Sequence, residues 1–405
     1  MIKTVKASHI YLPKKGVDMT KYAVIACDQY TSNLEYWDSL KAYIGDEVST
    51  FHMIYPEAYL ETTDGDSYIK GINENIHKYL KNNDLVDIGE SIILVERVTS
   101  YGVKRLGLVL SIDLEDYSYI KGNKAKIKAS EATIVERIPP RLKIRKDAPI
   151  ELPHVLVLFD DKDKSIVEPL YKARESLEKV YDFELNKEGG HIRGYKVKDN
   201  DEVIRKFDEL YRKNNNGLLF IVGDGNHSLA TAKAHWDLIK ENLSPEEREN
   251  HPARYALVEA NNLYDDGINF EPIHRVLFGV NDDFEKELNK ITDGEFVSFT
   301  YSKLNGKKPL KMNKNAPLAY KTIQTFLDEY MSSHKEVKID FIHDEDELIS
   351  VSDKNPHSLA IAMPALTKDD LFDYIASDLV LPRKSFSMGH ASEKRYYLEA
   401  KKIIK

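Results

Sequence analysis

The sequence is poor in cysteine, with Cys27 alone among 405 residues, and it has no apolar run near the roughly 20 residues that span a bilayer. A single cysteine excludes a disulfide framework and a metal site built from clustered thiolates. The N-terminal sequence also lacks the apolar core of a signal peptide. A cytoplasmic location is therefore expected.

The chain has no excess of positive charge, because its formal net charge is −9. This balance argues against a dedicated nucleic-acid binder. Several common motifs are also missing: a G-x-x-x-x-G-K-[ST] loop, a G-x-G-x-x-G loop between strand and helix, an H-E-x-x-H pair and a G-x-S-x-G elbow. The standard nucleotide loops, a zinc-protease site and an α/β-hydrolase triad are thus disfavoured.

The composition that remains is that of an ordinary globular protein, with 42% hydrophobic and 31% charged residues. The length predicts two or three domains. We expect an N-terminal α/β domain over residues 1–145, a central domain over 146–345 and a C-terminal strand–helix segment over 346–405. The first boundary follows Pro139 and Pro140, which interrupt regular structure.

Strand and helix patterns alternate along the chain, which indicates mixed sheets flanked by helices. The predicted fold class is α+β (mixed α/β). Apolar residues from Ile166 to Val180 predict a helix, and another helix is expected from about Ala391.

The most informative stretch runs from Leu218 to Lys233. Its first five residues are apolar, which is typical of a strand buried on both faces. A turn with two glycines follows, and apolar residues then recur at helical spacing from Leu229. The pattern predicts a strand, a turn and a helix, and the turn carries Asp224, Asn226, His227 and Ser228.

Such a turn is a natural site for an anion. The first N–H groups of a helix lack intrahelical partners, and the helix dipole is positive there. Gly225 would let the backbone approach a phosphate closely. The alternative is ordinary turn chemistry, with Ser228 as a helix cap.

Three further groups of residues are candidates for ligand binding. Asp28 and Gln29 follow a short strand, where ligands of such sheets bind; the alternative is an unoccupied polar loop. Arginine side chains offer a planar fork of donors to a carboxylate or phosphate, although surface ion pairing or a structural role is the alternative. The second group is Arg137 with Arg141, and the third is His274 with Arg275.

Several motifs together resemble one family, the bacterial and archaeal domain of unknown function family 1015, over nearly the whole chain. They are Cys27-Asp28-Gln29-Tyr30-Thr31, Glu131 with Arg137-Ile138-Pro139-Pro140-Arg141, Gly223-Asp224-Gly225-Asn226-His227-Ser228, Pro272-Ile273-His274-Arg275 and Phe341-Ile342-His343. More remotely, the Asp-Gly-x-His turn is similar to a loop of the ParB/sulfiredoxin-like superfamily, which includes free-serine kinases. This resemblance implies a ParB/sulfiredoxin-like central core.

The remote resemblance also implies roles for individual residues. In those kinases the loop holds nucleotide phosphates, and acidic residues act as base and magnesium contacts. Here Ser228 stands where an arginine is expected, so the loop lacks one phosphate donor. The implied catalytic residues are Glu131, Asp224 and His227, with Asp224 as the Mg²⁺ contact. The implied phosphate- or nucleotide-binding residues are Gly225, Asn226, Ser228, Lys233, Arg141, His274 and Arg275, and the substrate-binding residues are Asp28, Gln29 and Arg137.

These patterns favour phosphoryl transfer, and the remote resemblance implies a nucleotide-dependent phosphotransferase that acts on a small hydroxylated metabolite such as free serine. Its expected cofactors are Mg²⁺ and ATP or another nucleotide. Its expected partners are a small-molecule substrate and a nucleotide, without nucleic acid or membrane; a homodimer is left open. The alternatives are a phosphoester or nucleotide hydrolase and a non-enzymatic regulator that binds a nucleotide or phosphorylated ligand.

Overall fold

The computed structural model describes residues 3–60, 63–281, 283–292 and 294–405. Its strands are β1 (Val5–Lys6), β2 (Ser8–Pro13), β3 (Val24–Ile25), β4 (Leu85–Ser91), β5 (Ile93–Val98), β6 (Lys104–Asp113), β7 (Tyr117–Ser118), β8 (Ile127–Ala129), β9 (Ile150–Glu151), β10 (Leu156–Phe159), β11 (Glu178–Leu185), β12 (Gly190–Lys196), β13 (Phe220–Asp224), β14 (Tyr255–Asn262), β15 (Phe270–Pro272), β16 (His274–Phe278), β17 (Phe296–Ser302), β18 (Gly306–Met312), β19 (Lys338–Ile342), β20 (Ser358–Ile361), β21 (Phe386–Met388), β22 (Tyr396–Tyr397) and β23 (Lys401–Lys402). Its α-helices are α1 (Met19–Tyr22), α2 (Leu34–Ile44), α3 (Gly65–Lys81), α4 (Ile138–Arg145), α5 (Val167–Lys172), α6 (Asn200–Asn214), α7 (Asn226–Lys240), α8 (Pro245–Asn250), α9 (Phe284–Ile291), α10 (Ala316–Ser333), α11 (Glu345–Asp353) and α12 (Lys368–Ala376).

The chain forms two compact units. Unit 1 contains residues 1–129, 133–268 and 390–405, and unit 2 contains residues 130–132 and 269–389. Residues 390–405 therefore return to unit 1 after the chain has formed unit 2. The division into domains over 1–145, 146–345 and 346–405 stays a prediction.

Unit 1 is built around a large mixed sheet in the order β11-β12-β5-β6-β14-β10-β13-β8-β7, with β1 on β6. Strand β10 runs parallel to β14 and antiparallel to β13, while β13 and β8 are parallel. The strands β10, β13 and β14 are almost wholly buried, and Trp236 of α7 packs into the core to which they contribute apolar side chains. The predicted mixed α/β class is confirmed, as is the strand–turn–helix pattern from Leu218 onward.

Unit 2 contains an antiparallel sheet in the order β18-β17-β20-β16-β19. Helix α11 packs against this sheet, and Leu348 is fully buried there. A short antiparallel pair, β15 and β21, belongs to the same unit. Within the described residues, no helix is both long enough and apolar enough to cross a bilayer.

Two predicted helices are wrong in part or entirely. The helix expected from Ile166 to Val180 ends at Lys172, and Glu178 already begins β11. That strand pairs with β12, so tertiary pairing overrides the local helical pattern. The helix expected from Ala391 is a single 3₁₀ turn over Ala391–Glu393, after which the chain enters β22.

Candidate functional site

The turn between β13 and α7 requires glycine at position 225. Gly225 is the N-cap of α7 and has a φ of 86°, in the left-handed region. A Cβ atom there would lie 3.0 Å from the Cα of Val155, tighter than ordinary contact. The first backbone bond of the helix runs from the Leu229 N–H to the Gly225 carbonyl, at 3.0 Å. Gly225 has no side chain to cap the helix, so the positive end of α7 faces the turn without a side-chain acceptor from the N-cap.

His154 enters the same region from the neighbouring strand. It precedes β10, in which Leu156 lies opposite Asp224 of β13. The Nδ1 atom of His154 is 2.7 Å from the Tyr397 hydroxyl, and its Nε2 atom is 3.7 Å from Oδ2 of Asp28. The imidazole thus connects the turn-bearing sheet with two more segments of the chain.

Those two segments are the end of β3 and the strand β22. They pair antiparallel, with Tyr397 opposite Val24, and the pairing continues as the Ala26 N–H donates to the Arg395 carbonyl at 2.9 Å. This pairing brings residues 27–29 from near the start of the chain beside residues 394–397 from near its end. Asp28 and Gln29, predicted to lie at a strand end, are at the end of β3.

Asp28 is held in its ionised form. Burial of the carboxyl group opposes ionisation, but His154, the Gln29 amide and Lys394 outweigh it and leave the pKa of Asp28 below its usual value. The Gln29 amide donates to Oδ1 of Asp28 at 3.0 Å. The pKa of Cys27 shifts in the opposite direction, because burial and then the Asp28 charge raise it to about 12. Its thiol is therefore neutral at physiological pH.

Lys394 places an ammonium group beside the acids of the site. Its Nζ atom is 3.4 Å from Oδ2 of Asp224, and the two side chains are only 10% and 22% exposed. The same charge helps to lower the pKa of Asp28. The backbone around Lys394 is fixed by Arg97, whose buried guanidinium donates to the carbonyl groups of Ser392 at 2.8 Å, Glu393 at 3.1 Å and Lys394 at 2.6 Å.

Arg141 lies on α4, which packs against α7. It forms an ion pair with Glu57, and its Nη1 atom donates to the carbonyl of Arg137 at 3.0 Å. Glu57 also contacts the segment that carries Asp28, since its N–H donates to the Cys27 carbonyl at 2.8 Å. Burial, followed by the Asp28 charge, raises the pKa of Glu57 despite Arg141. The Arg137 side chain is exposed.

The remaining predicted residues of α7 differ in their surroundings. His227 accepts a hydrogen bond at Nε2 from the Ile134 N–H, at 3.2 Å, so its neutral form carries the proton on Nδ1. Asn226 and Ser228 lie in the first turn of the helix and are half-buried. Lys233 lies 3.0 Å from Asp237 on its own helix, where it forms an ion pair one turn further along.

Glu131, His274 and Arg275 belong to unit 2, whereas Asp224 and His227 belong to unit 1. Glu131 is half-buried and accepts hydrogen bonds from the N–H groups of Lys384 and Ser385, both at 3.0 Å. Burial raises the pKa of Glu131 although these two donors oppose the shift. A raised pKa suits a general acid or base, and its predicted role stays a prediction.

His274 and Arg275 have hydrogen bonds typical of structural residues. Arg275 is fully buried and donates to the carbonyl groups of Ile273 and, at 3.0 Å, Lys384. His274 accepts at Nδ1 from the Met363 N–H at 3.0 Å, and burial lowers its pKa to about 4. Their predicted contribution to phosphate binding is untested by these contacts.

Sequence reasoning missed four residues that the geometry of unit 1 brings to the site. His154 carried a weak signal, because it lies just ahead of β10, and Glu57 begins a short 3₁₀ turn. Lys394 and Tyr397 carried no signal, because they reach the site only through the pairing of β22 with β3, two strands that are far apart in the sequence. The four are Glu57, His154, Lys394 and Tyr397.

Comparison with solved structures shows weak similarity to several proteins. A conserved hypothetical protein from Pyrococcus furiosus is 12% identical, with a TM-score of 0.35 over 72% of this chain and 90% of that chain. A free serine kinase in complex with AMP is 11% identical, with a TM-score of 0.39 over 73% and 91%. SbnI from Staphylococcus aureus, with a C-terminal truncation, is 9% identical, with a TM-score of 0.38 over 71% and 85%.

The sequence itself matches one family model over nearly its whole length. Among curated proteins, none matches it significantly. The family model, described as a protein of unknown function, matches residues 11–402. The predicted resemblance is thereby confirmed, and the chain belongs to the DUF1015 family.

Proposed function

We propose that the protein is a nucleotide-dependent phosphotransferase that acts on a small hydroxylated metabolite such as free serine. One observation carries the proposal: a glycine-dependent turn at the positive end of α7 lies beside the partly buried ammonium group of Lys394. A helix N-terminus and a cation together favour a phosphate group. Lys394 thus offers the positive charge that Ser228 does not.

The acidic residues would bind the acceptor and act as the base. Phosphoryl transfer depends mainly on positioning and on neutralising charge. The ionised Asp28, held by Gln29 and His154, would bind the hydroxyl or amine of the acceptor. Glu131, with its raised pKa, would act as the base, and His227 would stabilise charge near the phosphates.

Mg²⁺ is compatible with this arrangement. Within the described residues, no group of three or more His, Cys, Asp or Glu side chains converges to hold a metal ion. Nucleotide-bound Mg²⁺ usually needs only one or two protein carboxylates together with phosphates and water. Asp224 would be that carboxylate, and the ion would neutralise phosphate charge.

Replacement of Asp224 by alanine tests the proposal. The Asp224→Ala variant should lose turnover of nucleotide in the presence of Mg²⁺ and a panel of small alcohols including serine, while it keeps its melting temperature within a few degrees. The matched control is Asp237→Ala, a more exposed acid on α7. A nucleotide at 100 times its Kd should stabilise the wild type by about 2.7 kcal/mol.

The outcomes separate the alternatives. Full activity in Asp224→Ala would refute the assignment. Phosphate release without an added alcohol would favour a hydrolase instead. Tight nucleotide binding without any turnover would favour a regulator.

A further inference from the structure

Aromatic side chains gather beside the candidate site in unit 1. The aromatic cluster consists of Tyr30, Tyr36, Tyr101 and His390. It contains two ring pairs: the rings of Tyr30 and Tyr36 are stacked, 4.0 Å apart at 18°, and those of Tyr101 and His390 are tilted, 4.7 Å apart at 35°. Only the rings of Tyr30 and Tyr36 are near-parallel, as in a stacked aromatic pair.

Tyr30 is fixed in a conformation that costs energy. Its φ is 51°, in the left-handed region that bulky residues rarely adopt. The conformation lets its carbonyl accept the Asn33 N–H at 2.9 Å ahead of α2, and lets its ring stack on Tyr36. Strain of this kind concentrates at functional sites.

Tyr101 presents most of its ring to solvent. It lies in the turn between β5 and β6 and is 59% exposed. After burial, Tyr101 also contributes to the raised pKa of Tyr30. Both ring pairs belong to unit 1.

The aromatic cluster adjoins residues of the candidate site along the chain. Tyr30 directly follows Asp28 and Gln29. His390 precedes Lys394 by a single 3₁₀ turn, which spans about 8 Å at about 2 Å per residue. A nucleotide reaches across such a span when its phosphates lie near Lys394.

We propose that the aromatic cluster binds the base of the nucleotide, with the exposed ring of Tyr101 as the stacking surface. The inference rests on the proposed function, because it assumes that the phosphates lie at the turn of Asp224 and Gly225. Base stacking on an aromatic ring does not depend on the hydrogen-bonding pattern of the base, so any base can stack there. The hydroxyl groups and the imidazole of the cluster supply polar contacts at the ring edges.

Isothermal titration of the full chain tests the inference with two kinds of probe. ATP, CTP and GTP carry a base, and tripolyphosphate does not. In Tyr101→Ala the affinity for the nucleotides should fall about five- to hundredfold, while the affinity for tripolyphosphate stays unchanged. Tyr101→Phe should restore nucleotide binding, since the ring is retained.

The matched control is Tyr43→Ala, which removes another exposed tyrosine, 45% accessible, from α2. It should bind every probe as the wild type does. If the wild type binds nucleotides and Tyr101→Ala weakens none of them, the inference alone fails. If the wild type binds neither nucleotides nor tripolyphosphate, the proposed function fails and the inference with it.

Discussion

At the scale of single residues, the candidate site depends on the charge of Lys394. Its side chain is nearly buried beside Asp224 and also acts on Asp28. Buried charges persist in proteins when they are paired, so the ammonium group and the two carboxylates stabilise one another. An incoming phosphate would share the same cation.

Removal of this charge should weaken phosphate binding. In Lys394→Met the affinity for nucleotide or tripolyphosphate should fall about ten- to hundredfold, because a charge-assisted hydrogen bond contributes about 1.5–3 kcal/mol. Titration calorimetry at fixed ionic strength measures the change. Lys402→Met, which removes an exposed lysine from β23, is the control. Equal affinities in the two variants would exclude Lys394 from the phosphate site.

Sequence reasoning could name only candidate residues that lie within one local element. Asp28, Asp224 and Gly225 follow apolar strand patterns, and the rule that ligands bind at strand ends needs no knowledge of distant partners. Lys394 and Tyr397 reach the site only through the pairing of β22 with β3. The two strands are short and more than 360 residues apart in sequence, so periodicity does not reveal their partnership.

At the scale of elements, the turn between β13 and α7 is fixed by its fit against β10. A left-handed φ and the proximity of Val155 both restrict position 225 to glycine. Because Val155 Cα belongs to the backbone, it cannot move aside as a flexible side chain would. The turn is therefore rigid where a phosphate would bind.

Gly225→Ala should destabilise the protein more than Gly217→Ala. Both glycines have a positive φ, so an alanine in this left-handed conformation should lower the stability of each variant by about 1–2 kcal/mol. Only at position 225 does a Cβ meet the backbone, whereas position 217 has open space within 4 Å. Urea unfolding midpoints measure the difference. Equal losses would show that Val155 exerts no steric effect.

The errors in element prediction share one physical cause. Residues 178–185 form β11 at the end of the sheet, paired only with β12 among the described strands, and their local spacing still resembles a helix. Residues 396–397 and 401–402 become strands because β3 and β9 offer them hydrogen bonds. Nonlocal partners of this kind override weak local preference. The buried strands β10 and β13, with continuous apolar runs, were predictable.

At the scale of the whole molecule, buried neutral histidines couple stability to pH. Burial lowers the pKa of His235, in unit 1, and of His274, in unit 2, to about 4 in each case. In the unfolded chain a histidine has its ordinary pKa of about 6.5. As the pH falls from about 6.5 to about 4, the unfolded state takes up protons first, and stability decreases.

We expect the urea midpoint to fall between pH 7 and pH 5.5, and the fall to be smaller in His235→Leu. The Nδ1 atom of His235 has no hydrogen-bond partner among the described residues, so leucine should cost little at pH 7. His274→Leu is the contrasting variant. It leaves the Met363 N–H without its acceptor, at a cost of about 1–3 kcal/mol. An unchanged pH dependence in His235→Leu would refute the assignment.

The return of residues 390–405 to unit 1 determines when the site can exist during synthesis. Lys394 and Tyr397 are made more than 360 residues after Asp28. At about 5–20 residues per second, the chain is without its site for many seconds after unit 1 has begun to form. A nascent or prematurely terminated chain that ends before residue 394 therefore contains Gly225 and α7 without the lysine beside them. Under the proposed function, such a chain lacks the positive charge that its phosphate site would need.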